Sequence, residues 1–82
     1  MFHAIEFRMA VPVGVYRPGS EFLEKVVIRW GTQLHADVRP YVTESPDGPV
    51  ELADLFFEDG SIARAVRFAA FRFLDKSKRG KA

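Results

Sequence analysis

The sequence of 82 residues contains no cysteine, so neither a disulfide nor a thiolate metal cluster can stabilise its fold. It has only two histidines, and a three-histidine metal site therefore cannot form within one chain. No segment reaches the roughly 18 consecutive apolar residues of a membrane-spanning helix. Residues 1–6 have neither the basic start nor the continuous apolar run of a signal peptide. We therefore expect a cytoplasmic protein that has no membrane partner.

Aromatic residues, in contrast, are abundant: the chain has eight phenylalanines, two tyrosines and one tryptophan. Burial of one such ring contributes about 1.5–3 kcal/mol, so a handful of them could hold a small barrel or sandwich together. A chain of this length forms one domain near the lower size limit for unaided folding, and an obligate oligomer is the other way to complete its core. We predict a single domain over residues 1–75 and a basic, flexible tail over residues 76–82.

Charge is distributed unevenly along the chain, although its net value is only +1. Residues 1–63 contain five basic and ten acidic residues, whereas residues 64–82 contain seven basic residues and one acidic residue. This asymmetry is compatible with an anionic partner, with self-association through opposite charges, or with a solvated basic tail.

Two segments alternate between apolar and polar residues, which predicts half-buried β-strands. Residues 3–9 form the first segment, and its continuation is interrupted by Pro12 and Gly14, which indicate an edge or a bend. Residues 32–42 form the second segment, in which Pro40 again indicates an edge or the end of a strand. The predicted inward residues of the second segment are Leu34, Ala36, Val38, Pro40 and Val42. The predicted outward residues are Gln33, His35, Asp37, Arg39 and Tyr41.

Turn-forming residues divide the second half of the chain into strands. Residues 45–49 read Ser-Pro-Asp-Gly-Pro, which predicts a turn or loop. Asp59-Gly60 is a strong hairpin signal, because a two-residue type I′ turn needs positive φ at both of its central positions. We therefore predict strands at 50–58 and 61–66 on either side of this turn.

Residues 20–30 leave a helix and a strand as alternatives. Ser20 is a suitable N-cap for a helix and Gly31 is a suitable terminator. Against a helix, residues 26–28 are a β-branched run that favours a strand after a loop. The sequence supports both structures about equally here.

Residues 62–74 pose the same question near the C-terminus. Their alanines favour a helix. A helical wheel, however, places Phe68 and Phe71 on the same side as the arginines, so that no clean apolar stripe results. We therefore predict a strand up to Val66, a tight turn through residues 68–70, and a short final strand at 71–74.

The Asp-Gly hairpin, the one-turn kink and the short closing strand together resemble the end of SH3-like small barrels, including Tudor-type modules. The resemblance extends over about twenty residues and implies a small-barrel fold, which by itself defines no function. We predict a mainly β protein, a small antiparallel barrel or sandwich, with or without one helix near 20–30. The alternative is an α+β fold with helices at 20–30 and 61–74.

Residues suited to catalysis are few. The four serines lie in cap, turn or tail contexts, and there is no glycine-rich phosphate loop. His35 and Asp37 lie two residues apart on one strand face, next to Arg39. They could contact a partner, supply two metal ligands, or form a base with its orienting carboxylate, but an ordinary polar surface patch is the simplest explanation. We predict no enzymatic activity, no metal and no cofactor.

The C-terminal segment combines cations with aromatic rings, as do proteins that bind single-stranded nucleic acid. Its basic residues would contact phosphates, and Phe68 or Phe71 would stack on a base. The competing explanation is that these phenylalanines belong to the core. The candidate binding residues are Arg67, Phe68, Phe71, Arg72, Lys76, Lys78 and Arg79.

The function that the sequence favours is a non-catalytic interaction module that self-associates through strand edges and exposed aromatic residues. Trp30, Tyr16 and Tyr41 are of the residue types that anchor such contacts. The partner is then a second copy of the chain or another protein. Nucleic-acid binding by the C-terminal segment is the alternative function.

Overall fold

A computed structural model describes residues 1–74 as seven β-strands and one turn of 3-10 helix. The strands are β1 (Phe2–Phe7), β2 (Val11–Tyr16), β3 (Leu23–Ile28), β4 (Gln33–Ser45), β5 (Gly48–Phe57), β6 (Ile62–Arg67) and β7 (Phe71–Phe73); the 3-10 turn is Phe68–Ala70. They form one antiparallel sheet in the order β3-β2-β6-β5-β4-β1-β7, which curls into a half-barrel. The predicted mainly β fold is therefore confirmed.

The core lies on the concave face of this sheet. Alternation along each strand places one set of side chains there, as a period of two residues requires. The buried apolar residues are Ile5, Phe7, Val13, Val15, Ile28, Ala36, Ala53, Leu55, Ala63, Val66, Ala70 and Phe71. The set combines small alanines with larger side chains, so that the side chains of the curved sheet can pack closely on its concave face.

Strand β4 is the longest strand, and only its first part belongs to the core. Ala36 is fully buried and its neighbours Leu34 and Val38 pack against the core, as predicted. The predicted inward orientation is wrong for Pro40 and Val42, which are exposed, Val42 by 63%. Strand β1 pairs with β4 only up to Asp37, so the rest of the β4–β5 hairpin extends past the core. Pro40 lies where β4 has β5 as its one neighbour in the sheet, an edge position that tolerates a missing amide donor.

The helix considered for residues 20–30 does not form. Residues 23–28 are instead strand β3, which pairs with β2 over its whole length. The two apparent helix caps serve turns: the hydroxyl of Ser20 accepts a hydrogen bond from the Phe22 amide at 3.1 Å, and Gly31 has a φ of 85° in the turn before β4. Cross-strand packing of β-branched residues has therefore decided between the alternatives.

The α+β alternative is also wrong at residues 61–74. This segment forms strand β6, a 3-10 turn of three residues and strand β7. The predicted order of strand, tight turn and closing strand is confirmed. The predicted tail, residues 76–82, lies outside the described residues.

The hairpin at Asp59-Gly60 is confirmed, but its predicted turn type is wrong. Only Gly60 has positive φ, at 95°, and its amide donates to the Phe57 carbonyl at 3.0 Å. The loop therefore has three residues, with a single left-handed glycine at its end. Asp59 has a different role, since its Oδ1 accepts the Ser61 amide at 2.8 Å. A type I′ turn would have required the strained left-handed conformation at Asp59 as well.

A β-bulge interrupts the pairing of β5 with β6. Asp54 stands opposite both Arg64 and Ala65, and Ala65 has a φ of 55°, which is strained for an alanine. The Asp54 carboxylate holds this backbone in place. Its Oδ1 accepts the Ala65 amide at 2.9 Å, and its Oδ2 lies 3.2 Å from the Arg64 Nε.

Asp54→Ala is expected to lower the free energy of unfolding by about 1–2 kcal/mol, because it leaves the bulge amide without its acceptor. Asp54→Asn keeps a side-chain oxygen at that position and loses only a half-exposed ion pair, so it should cost less than about 1 kcal/mol. Urea denaturation of both variants measures the difference. Equal losses in the two variants would show that the ion pair, and not the amide bond, holds the bulge.

Candidate association edge

The two edge strands of the sheet differ in how well they are protected against pairing with another strand. Strand β7 has three residues, and Arg72 binds the Glu6 Oε1 through Nε at 3.0 Å and Nη2 at 2.7 Å. Strand β3 has six residues and neither a proline nor a bulge. Short length and charged side chains are the usual devices that prevent edge pairing. Strand β3 also carries charges, Lys25 and Glu24, and the Arg17 Nε donates to the Glu24 Oε1 at 2.9 Å. Its greater length therefore makes β3 the less protected of the two edges.

Large apolar side chains are concentrated on β3 and on the residues next to it. Phe22 is 82% exposed and Trp30 is 74% exposed, and they stand on either side of the strand. Leu23 and Val27, within the strand, are 56% and 62% exposed. These four account for nearly half of the large exposed hydrophobic residues among residues 1–74. Leu23 and Val27 share the convex face of the sheet, whereas Trp30 lies in the turn after β3 and lines a recess with Phe7 and Arg72.

A groove runs beside β3 on the concave side of the sheet. It encloses about 740 Å³ between β3, the start of β4 and the β5–β6 turn. Its apolar lining consists of Val15, Val26, Val27, Ile28, Leu34 and Phe57. Polar side chains on the same lining include Arg17, Arg29, His35, Glu58 and Asp59. Among residues 1–74, no further strand pairs with the free edge of β3, and this groove lies beside it.

The convex face of the sheet carries a second, more protected apolar row. Leu23, Tyr16, Ile62, Phe56, Asp37 and Phe2 stand opposite one another across six strands. The Arg39 guanidinium covers the centre of this row, 4.8 Å from the centroid of the Phe56 ring. The row reaches the edge of the sheet at Leu23, whose side chain lies over Gly14 and would collide with a Cβ there.

The predicted polar patch on β4 is in part an ion pair. Arg39 donates to the Asp37 Oδ2 from Nε at 3.1 Å and from Nη2 at 2.8 Å. This bond lowers the pKa of Asp37 and raises the pKa of Arg39. His35 is exposed on the same strand, and no hydrogen bond joins it to Asp37 in the described part of the chain. Nor do residues 1–74 bring three or more histidine and acidic side chains into a possible metal site.

The described members of the predicted nucleic-acid-binding set, which are Arg67, Phe68, Phe71 and Arg72, do not form one exposed surface. Phe71 is only 4% exposed and packs against Phe7 with 5.6 Å between ring centroids, so its ring cannot stack on a base. Phe68 is half-buried against Phe71. Arg72 is bound to Glu6, and Arg67 is exposed. Lys76, Lys78 and Arg79 lie outside the described residues.

Three carboxylates with lowered pKa make stability depend on pH. Glu6 is bound by Arg72, Asp37 by Arg39, and Asp59 by the Ser61 amide; each bond lowers the pKa of its carboxyl. As the pH falls below about 5, these carboxyl groups therefore take up protons in the unfolded chain before they do so in the folded protein. The free energy of unfolding should decrease over this range, down to the folded-state pKa values.

Thermal unfolding measured across this pH range tests the effect. The triple variant Glu6→Gln, Asp37→Asn and Asp59→Asn should show a flatter dependence of melting temperature on pH than the parent protein. An unchanged slope would mean that other carboxyl groups are responsible.

Comparison with protein-family models, with curated proteins and with solved structures gives no match to this chain. Within residues 1–74, no helix has the length and apolar character needed to cross a membrane. The protein can therefore be described only by its own structure, which is a small antiparallel β half-barrel with one open edge strand that carries exposed apolar residues.

Among the exposed apolar residues in and next to β3, the sequence analysis singled out Trp30 and did not single out Phe22, Leu23 and Val27. A signal for them is present in the sequence. A half-buried strand needs apolar residues on one face only, whereas residues 22–30 carry them in adjacent positions, at 22–23 and 26–28. Apolar residues on both faces of a strand are typical of a strand that is covered on both sides.

Proposed function

We propose that this protein is a non-catalytic self-association module and that the β3 edge is its contact surface. The observation that carries the proposal is the combination of an open six-residue edge with exposed Leu23 and Val27 on it and exposed Phe22 directly before it. Backbone hydrogen bonds between edges supply affinity, and side chains beside the edge supply specificity. Burial of Leu23 and Val27 would add the apolar contact that an isolated backbone ladder lacks.

Association through β3 would give a closed dimer and not an open-ended assembly of many copies. Association of two β3 edges is a contact between identical surfaces, related by a two-fold axis, and it uses the free β3 edge of both copies. The opposite edge, β7, is short and carries Arg72 in its ion pair with Glu6. The part of β4 that follows Asp37 is also an open edge, but Pro40 interrupts it because proline lacks an amide donor. A third copy would therefore find only a short edge or an interrupted one in the part of the sheet formed by residues 1–73.

Light scattering coupled to size exclusion tests the proposed function, at about 50 mM and about 500 mM salt, with and without a mixed single-stranded oligonucleotide. We expect a dimer at both salt concentrations that does not bind the oligonucleotide, because backbone pairing and apolar contact depend weakly on salt. A monomer at high protein concentration would overturn the proposal. A monomer that co-elutes with the oligonucleotide only at low salt would indicate nucleic-acid binding instead, since phosphate contacts weaken steeply with salt.

A further inference from the structure

We infer that the two β3 strands of the dimer pair antiparallel about a two-fold axis at Val26, so that the two sheets form one continuous sheet of two copies. The inference rests on the proposed function and adds the register of its contact. Three properties of β3 carry it: the alternation of its faces, the positions of its charges, and the number of its residues that each register pairs.

The alternation of faces limits the possible registers. Two antiparallel strands of one sheet can be related only by a two-fold axis perpendicular to that sheet, and such an axis keeps each face on its own side. Residues directly opposite each other share a face. Position 24 can thus oppose positions 24, 26 or 28 of the second copy, and position 25 can oppose 25, 27 or 29. The residue at the centre of the paired segment must therefore stand opposite its own copy, with the two-fold axis between the two copies.

The charges on β3 then select one centre. An axis at Glu24 opposes the two glutamates, and an axis at Lys25 opposes the two lysines. An axis at Val27 pairs only residues 26–28, because β3 ends at Ile28 and Arg29 begins the turn to β4. Like charges directly opposite each other destabilise a pair of strands. An axis at Val26 opposes Lys25 to Val27 and avoids all of these repulsions, while axes nearer either end of β3 shorten the paired segment.

The length of the paired segment agrees with the same centre. With the axis at Val26, residues 24–28 of the two copies face each other, which is five of the six residues of β3. An axis at Lys25 pairs as many residues of β3, but it opposes the two lysines. Val27, which is 62% exposed in the single chain, then lies opposite the aliphatic stem of Lys25.

Cysteine crosslinking tests the register without interference, because the chain has no native cysteine. Three single variants are oxidised separately: Val26→Cys, Lys25→Cys and Val27→Cys. Opposite Cα atoms in an antiparallel pair are about 4.5–5.5 Å apart, within the range of a disulfide, whereas positions displaced by two residues exceed about 7 Å. We expect Val26→Cys to form a covalent dimer and each of the other two variants to remain uncrosslinked.

A mixture of Lys25→Cys with tagged Val27→Cys provides the complementary measurement, because these positions are opposite each other in the inferred register. Both side chains are exposed, so these variants should fold even where Val26→Cys does not. We expect the mixed pair to crosslink although neither member does so alone. Crosslinking of Lys25→Cys or Val27→Cys with itself would overturn the register.

The outcomes separate the inference from the proposed function. If light scattering shows a dimer and neither Val26→Cys nor the mixed pair crosslinks, self-association stands and the inferred register is wrong. If light scattering shows a monomer at all concentrations, the proposed function fails and the register fails with it.

Discussion

Val27→Lys is expected to weaken the proposed dimer by about tenfold or more without unfolding the single chain. Val27 is 62% exposed, so the single chain loses little packing. In the dimer, however, each new lysine stands opposite Lys25 of the other copy, which places two pairs of like charges in contact. Two such repulsions and the loss of two valine contacts sum to about 2 kcal/mol, and about 1.4 kcal/mol corresponds to a tenfold change in affinity. Sedimentation equilibrium measures the dissociation constant.

Val27→Glu is the matched control for this prediction. It loses the same valine contacts but places a glutamate opposite each Lys25, so its dissociation constant should stay within about threefold of the parent value. The double variant Lys25→Glu with Val27→Lys restores opposite charges and should restore the dimer. If lysine and glutamate at position 27 weaken association equally, position 27 does not oppose Lys25.

Phe7→Ala is expected to lower the free energy of unfolding by about 3–5 kcal/mol, which is most of the stability of a domain of this size. Phe7 is 1% exposed on β1 and packs against Phe71, which closes the half-barrel through β7. Removal of its ring leaves a cavity where the first and last strands meet. Urea denaturation at one fixed protein concentration measures the loss, since self-association adds to apparent stability.

Phe2→Ala is the control for this prediction, because Phe2 lies on the same strand but is 45% exposed. Its replacement should cost less than about 1 kcal/mol. A comparable loss in the two variants would mean that the concave face is not the main source of stability.

The C-terminal half of the fold was predictable because its signals are local. The Asp59-Gly60 hairpin, the turn at 68–70 and the closing strand each depend on residues close together in the sequence. Residues 20–30 were not predictable for the opposite reason. Ser20 and Gly31 suit a helix terminus as well as a turn, and the pairing of β3 with β2 decides between them. That pairing is a tertiary contact which no local propensity contains.

The position of the candidate edge could not be predicted from the sequence. The surplus of aromatic residues and the β-rich pattern led us to expect association through strand edges, which stays a prediction. Which strand lies at an edge depends on sheet order, and the order β3-β2-β6-β5-β4-β1-β7 pairs strands far apart in sequence. The same limit applies to Phe71. Its sequence neighbours are arginine and phenylalanine, as at a binding surface, but its packing against Phe7 of β1 buries it.

Amide hydrogen exchange of β3 at low and high protein concentration tests the central claim most directly. Alternate amides of β3 point away from β2, and in the single chain they face solvent. We predict that these amides become protected as the concentration rises, while the amides of β7 keep the same exchange rates. If the outward amides of β3 exchange equally fast at both concentrations, or if protection appears at β7 instead, the β3 edge is not where this protein associates.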